Sequence, residues 1–297
     1  LVGSEMCIRD RLCTLLFSSL LLMHNAVASG VGDFALLDQN GTFHQASYYS
    51  DHDAIVILAE SSETLAGERA RTAVSNIESV EQSGKIKAFV ISPNSGVERD
   101  ALQAAVSALS TNLPVLIDET QLVSQSLDLS RYGEVVVINP KSLSVIYRGS
   151  TADLKGITDF SALSTSAASN TEPLGDSIEF RSSKAVSYVN DVAPILERNC
   201  VTCHRDGGIG PWSMSSHAMV QGWSPMMREV VMTQRMPPGR IDTHVGKKIS
   251  NANGLTVAEQ QTLIDWIDQG AKHIGDQDPL TQLTFDATEF TVGEPDL

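Results

Sequence analysis

Cys200-Val201-Thr202-Cys203-His204 places two thiols and an imidazole within one turn of chain. Two intervening residues bring both sulfurs to one edge of a planar macrocycle, and the next residue then lies beneath its centre. By this spacing two thiols add across porphyrin vinyl groups while the adjacent imidazole becomes the proximal iron ligand. Other chemistries also use paired cysteines. A redox dithiol has no need of His204. A zinc site needs a second ligand pair, and no cysteine follows Cys203. The motif predicts one covalent c-type haem, with thioethers at Cys200 and Cys203 and His204 on the iron.

The remaining cysteines, Cys7 and Cys13, lie at the start of the chain. Leu12 to Met23 is an apolar run too short to span a bilayer, flanked by Arg9 and Arg11 and followed by Ala26-Val27-Ala28. That small-x-small triplet marks a secretory cleavage site, so residues 1–28 read as a signal peptide and no membrane span is expected in the mature chain. Within it, residues 1–11 resemble a translated sequencing-library adapter more than a natural protein start. Export to the periplasm or medium agrees with the motif, since bacteria attach haem covalently outside the cytoplasm. No lipobox precedes the cleavage site. After cleavage only Cys200 and Cys203 remain, which leaves no structural disulfide.

The formal net charge is -15. The leader contributes two acidic and two basic residues, so its removal leaves the balance unchanged, and haem propionates would add negative charge. Such a chain repels nucleic acid and anionic membranes and favours cationic or neutral partners.

Residues 161–180 open with a run of small polar residues lacking apolar periodicity and read as a linker between two modules. Ahead of it, strands and helices alternate: strand 54–59, helix 62–80, strand 88–91, helix 96–110, strand 114–118, then strand 134–140 paired by a turn with 143–148. This order predicts an α/β domain with a mixed sheet. It resembles the thioredoxin-like fold, especially peroxiredoxin-type redoxins, over residues 32–160. Phe34-Ala35-Leu36-Leu37-Asp38-Gln39-Asn40-Gly41 is similar to that family's opening hairpin, and Leu113-Pro114-Val115-Leu116-Ile117-Asp118 to its middle strand. The family's thiols fall where this chain reads Glu60-Ser61-Ser62-Glu63-Thr64, and its cis-proline loop where this chain reads Arg131-Tyr132-Gly133-Glu134. Serine ionises far too weakly to replace a thiolate in disulfide exchange. The domain is expected to be a scaffold or docking surface.

Beyond the linker, a helical segment at 189–198, with Asp191 as its N-cap, delivers Cys200. Thr256-Val257-Ala258-Glu259 is a capping box opening a second helix, with Leu263, Ile264, Trp266 and Ile267 on its apolar face and Gly270 at its end. Two helices bracketing the motif resemble the class I cytochrome c fold over residues 187–275. The fold class expected is therefore an α/β thioredoxin-like domain followed by an all-α cytochrome c-like domain.

Six methionines lie between 214 and 236: Met214, Met219, Met226, Met227, Met232 and Met236. Five read as pliable packing. Met236 precedes Pro237 and Pro238, whose fixed φ angles end the helix and hold the thioether on a stiff loop. The resemblance points to the same residue as distal iron ligand. His244 is the rival. His217 and His273 read as surface residues, and Arg228, Arg235 and Arg240 as solvated charges or propionate partners. The acidic tail, 276–297, ends in Gly293-Glu294-Pro295-Asp296, which is similar to the lead-in to copper monooxygenase-like β domains, so the chain reads as a fragment or as ending in a disordered tail. The function expected is electron transfer with an unidentified redox partner protein. The alternatives are an oxidoreductase in which the haem feeds a redoxin or missing copper domain, and an interaction protein that docks through its redoxin-type domain.

Overall fold

In the computed structural model, residues 30–81, 84–94, 96, 99–154, 160, 175–239, 254–275 and 277–285 are described. Residues 1–28, read as a signal peptide, residues 161–174, Arg240, His244 and residues 286–297 lie outside them.

Val, Ile and Ala crowd the strand β3 (Ala54–Ala59), and all six of its residues are buried. Alternate side chains leave a strand on opposite faces, so a run with no polar position needs cover on both sides. β3 occupies the middle of a five-stranded sheet completed by β4 (Ile86–Ser92), β5 (Val115–Ile117), β6 (Val135–Asn139) and β7 (Ser144–Gly149), in the order β5-β4-β3-β6-β7. β4 and β5 run parallel to β3, while β6 is antiparallel to β3 and to β7. This is the thioredoxin-like α/β arrangement implied by the resemblance.

One sheet face, with Val56 and Leu58, packs under α2 (Glu68–Glu81) and α3 (Arg99–Leu109) through Val74, Ile77, Leu102 and Val106. The single helix read over 62–80 is two: α1 (Ser62–Leu65) and α2, separated at Ala66 and Gly67. The opposite face, with Ile55, Ile57 and Phe89, is covered by the hairpin of β1 (Ala35–Leu37) and β2 (Phe43–Gln45) and by α4 (Leu122–Ser126). A short α5 (Thr151–Leu154) follows β7.

The C-terminal region is helical. Tyr188–Val201 is one continuous helical stretch, α-helical at α6 (Ala193–Leu196) and widened to π turns on either side. Its N-cap is Ser187, whose hydroxyl accepts from the Asn190 N–H while Asp191 accepts from the Ser187 N–H at 2.8 Å. Asp191, expected as the cap, is therefore its reciprocal partner, because the helix starts a turn earlier. α7 (His217–Met232) carries Pro225 in its interior. Proline cannot donate to the Gln221 carbonyl four residues back, and the Ser224 hydroxyl donates to it instead at 2.8 Å. α8 (Val257–Asp268) opens with the expected capping box of Thr256 and Glu259 and buries Leu263, Ile264 and Trp266.

The helices continue the second core of the sheet: Tyr188, Leu196, Met227 and Trp266 belong to the same buried cluster as Ile57 and Leu122. Polar contacts tie the two parts at the seam. Gln121, left-handed at φ 59°, donates to the carbonyls of Pro93 and Glu179 and accepts from the Arg181 N–H. Gln261 donates to the Thr120 carbonyl, and Arg181 forms a two-pronged pair with Asp265 at 2.6 and 2.7 Å. Residues 175–178, at the end of the stretch read as a linker, pair with 130–132 through an antiparallel bridge between Arg131 and Ser177. Part of the tail is folded as well: Asp278 caps a short turn at Pro279–Gln282, and Leu280 is buried.

Glu60 and Glu134, at the ends of β3 and β6, are both buried and matched to Arg69 and Arg148. Arg69 reaches Glu60 across Gly133 (φ +84°), where a Cβ would stand 2.0 Å from the guanidinium. Gly133→Ala would displace Arg69, leave the Glu60 carboxylate without its cation, and strain the left-handed backbone. It is expected to lower stability by about 1–3 kcal/mol in denaturant unfolding, chiefly through the strained backbone.

Candidate functional site

A helix ends with unsatisfied carbonyls and a partial negative charge, so a thiol in its last turn is held against ionisation. Cys200 sits in such a turn: the helical stretch ends at Val201, and the N–H groups of Cys203 and His204 both point back to the Cys200 carbonyl. Burial pushes the Cys200 thiol up to about 12, with Cys203 and Glu259 adding to the effect. Both cysteines are free thiols and both are half-buried. Exchange chemistry needs the opposite placement, at a positive helix N-terminus where the thiolate is favoured. Burial at this helix end favours the neutral thiol at Cys200.

His204 is fixed from behind. Its Nδ1 lies 3.0 Å from the Trp212 carbonyl oxygen. A carbonyl only accepts, so Nδ1 carries the proton and Nε2 keeps its lone pair free for a metal. The chain from 205 to 214 folds tightly over the motif, with Gly210 N–H donating to the Cys203 carbonyl and Met214 N–H to the His204 carbonyl, both at 2.8 Å. A Cβ at Gly210 would stand 2.7 Å from His204 Nδ1 and 2.8 Å from Cγ, so only glycine permits this closure. Sequence reasoning passed over this support, although the glycines of Asp206-Gly207-Gly208-Ile209-Gly210 were visible as its signal.

The motif is tied to the start of α8. Arg198 and Asn199 both donate to the Glu259 carboxylate, Asn199 at 3.4 Å. Burial works against that charge, yet the Thr256 N–H and Arg198 hold the Glu259 carboxyl below its ordinary range. Met236 stands near the same helix end, lining a shallow pocket with Val231, Gln234, Pro237, Gly254, Leu255 and Gln260. It is 41% exposed. The helix before it ends at Met232, where Gln234 turns left-handed (φ 57°) and the N–H groups of Arg235 and Met236 fold back onto the Val230 carbonyl. The turn, rather than the prolines, ends α7. The Gln234 side chain donates to the Ala35 carbonyl at 2.9 Å, anchoring the methionine loop to the thioredoxin-like part.

Other sequence readings change. Met219 and Met226 are exposed, whereas Met214, Met227 and Met232 pack as expected. His217 and His273 are half-buried in a cluster of rings with Tyr188 and Trp266, and His217 Nε2 donates to the Ala271 carbonyl. Arg228 pairs with Asp268 and Ser126, and Arg235 with Glu229. In the thioredoxin-like part, Ser61 caps α1 in a reciprocal box with Thr64 at the position where the resembled family carries thiols.

Among the described residues, no three His, Cys, Asp or Glu side chains are grouped to hold a metal ion between them, and no helix is long and apolar enough to cross a membrane. No protein-family model matches the chain, and no curated protein matches it significantly. Solved structures similar to it include a hypothetical protein from Sinorhizobium meliloti, at TM-score 0.45 and 16% identity, covering 52% of this chain and 94% of that one. The thioredoxin domain of a thiol-disulfide oxidoreductase from Bacteroides vulgatus is similar at TM-score 0.34 and 9% identity, covering 40% and 84%. A thiol-disulfide oxidoreductase from Bacteroides fragilis is similar at TM-score 0.35 and 14% identity, covering 40% and 88%.

With its thiol pushed up to about 12, Cys200 in the folded, haem-free chain should alkylate at pH 8 at least about a hundredfold more slowly than in the urea-unfolded chain, whose thiol titrates near 8.5. The folded rate should keep rising about tenfold per pH unit past pH 9, where the unfolded rate levels off. Time-resolved mass spectrometry of iodoacetamide labelling measures both.

Proposed function

We propose that this chain is an exported electron carrier of the c-type cytochrome kind, whose helical region holds one haem beside a thioredoxin-like domain that performs no thiol chemistry. The observation that carries the reading is the His204 geometry: Nδ1 is spent on the Trp212 carbonyl, and Nε2 is left as a ligand directly after two free thiols. Cys200 and Cys203 are the covalent attachment points, His204 the proximal ligand and Met236 the distal one. The haem, when bound, supplies a one-electron couple at its iron. The protein orients the imidazole and carries the thioether on a loop pinned at Gln234.

Several features support a redox role without catalysis in the first domain. Ser61 and Ser62 offer no sulfur, and Glu60 beside them is committed to Arg69. The leader of residues 1–28 supports export to the periplasm or medium. The redox partner is expected to be a protein with a cationic or neutral docking face, given the net charge of -15.

Coexpression with haem-maturation machinery should yield one covalent haem per chain by mass spectrometry, with a low-spin spectrum. Cys200→Ala together with Cys203→Ala should abolish covalent attachment. Met236→Ala should keep the attached haem but become high-spin and bind carbon monoxide, whereas wild type should not. A metal analysis showing zinc and no macrocycle would sink the proposal.

A further inference from the structure

Three tryptophans lie in the helical region, and they are treated differently. Trp266 is fully buried and gives its indole N–H to the Lys272 carbonyl at 2.9 Å, as a core tryptophan does. Trp212 and Trp223 are only half-buried, and neither indole N–H has a protein acceptor among the described residues. They stack on each other, with ring centroids 5.4 Å apart and planes 19° from parallel. The stack begins at His204, whose ring centroid lies 5.2 Å from that of Trp212. It ends on the outer side of α7, where Met219 and Met226, one turn to either side of Trp223, are 42% and 48% exposed. Trp212 rests against the buried cluster, and the stack runs outward from it through Trp223 to the exposed face of α7.

Resting on the haem reading above, we propose that Trp212 and Trp223 are the electron route between His204 and the α7 surface. The route is continuous ring contact from the proximal imidazole to solvent, and Trp212 is attached to it twice, through its carbonyl on Nδ1 and through its ring. In each exchange one electron passes between an external one-electron donor and the iron. Neither indole is oxidised, no bond forms or breaks, and no proton moves. Trp212 and Trp223 are bridging residues, not ligands.

The test uses the haem-loaded chain carrying Met219→Cys modified with a ruthenium polypyridyl photoreductant, and a second preparation modified at Glu197→Cys, exposed on the stretch that leads into the motif. Flash reduction is followed at the haem absorption band. Trp223→Leu should slow transfer from position 219 several-fold, and Trp223→Phe should restore most of it. Transfer from position 197, the reduction potential and the resting spectrum should stay unchanged in both. Equal rates from position 219 in Trp223→Leu and wild type, with the spectrum intact, would overturn the route alone. A wild-type chain that never acquires a haem band would overturn the reading of the motif, and the route with it.

Discussion

A strand apolar at every position cannot lie at a surface, and β3 imposes that demand on everything around it. Its two faces take different partners. Helices α2 and α3 cover one face as the neighbours next in the chain. The other receives the opening hairpin and α4, and its core then runs on without a break into Tyr188, Leu196, Met227 and Trp266. Burial of this kind contributes about 25 cal/mol per Å² of apolar area removed from water, and the shared core draws the two parts together. Gln121, Gln234, Gln261 and Arg181 then set the register of that contact, since each satisfies a backbone or carboxylate group that burial would otherwise leave unpaired.

The helical region shows one preference carried through several residues. Its paired thiols sit at the negative end of a helix, its histidine is locked into a single tautomer, and its glycines let the loop close over both. A thiol-exchange site needs a stabilised thiolate, and burial at the helix end withholds one at Cys200. In the thioredoxin-like part, where the resembled family has a reactive sulfur, a serine caps a one-turn helix, and the buried glutamate before it is paired with an arginine lying across a glycine. The two parts meet at the methionine loop, where a side chain of α7's terminal turn is hydrogen-bonded to β1. The position of Met236 therefore depends on the packing of a domain more than a hundred residues earlier in the chain.

Much of this was legible from local pattern. The β-branched runs at 54–59 and 134–140 became β3 and β6, and the capping box at Thr256 opened α8 within a residue of its expected start. The Cys-x-x-Cys-His motif announced its own position at a helix end. Other features were not legible, because their partners are distant in sequence. His217 and His273 look like isolated polar residues until Tyr188 and Trp266 close around them, with the Tyr188 hydroxyl donating to Asp278 across 90 residues. The tail at 277–283 reads as acidic and extended, but Leu280 finds a place in the helical core. The break between α1 and α2 was marked by Gly67, yet its weight against the surrounding helix formers depended on how α1 packs.

By itself, the chain determined what was chemical and local: which strands are apolar on both faces, which helix is capped, and where two sulfurs and an imidazole fall on one turn. These follow from backbone periodicity and side-chain type, which require no knowledge of the rest of the molecule. Tertiary structure alone decided which nitrogen of His204 is free, which methionines are exposed, and how the helices complete the sheet's second core. Each of those depends on a partner brought close by packing, and packing is a property of the whole folded volume rather than of any stretch within it.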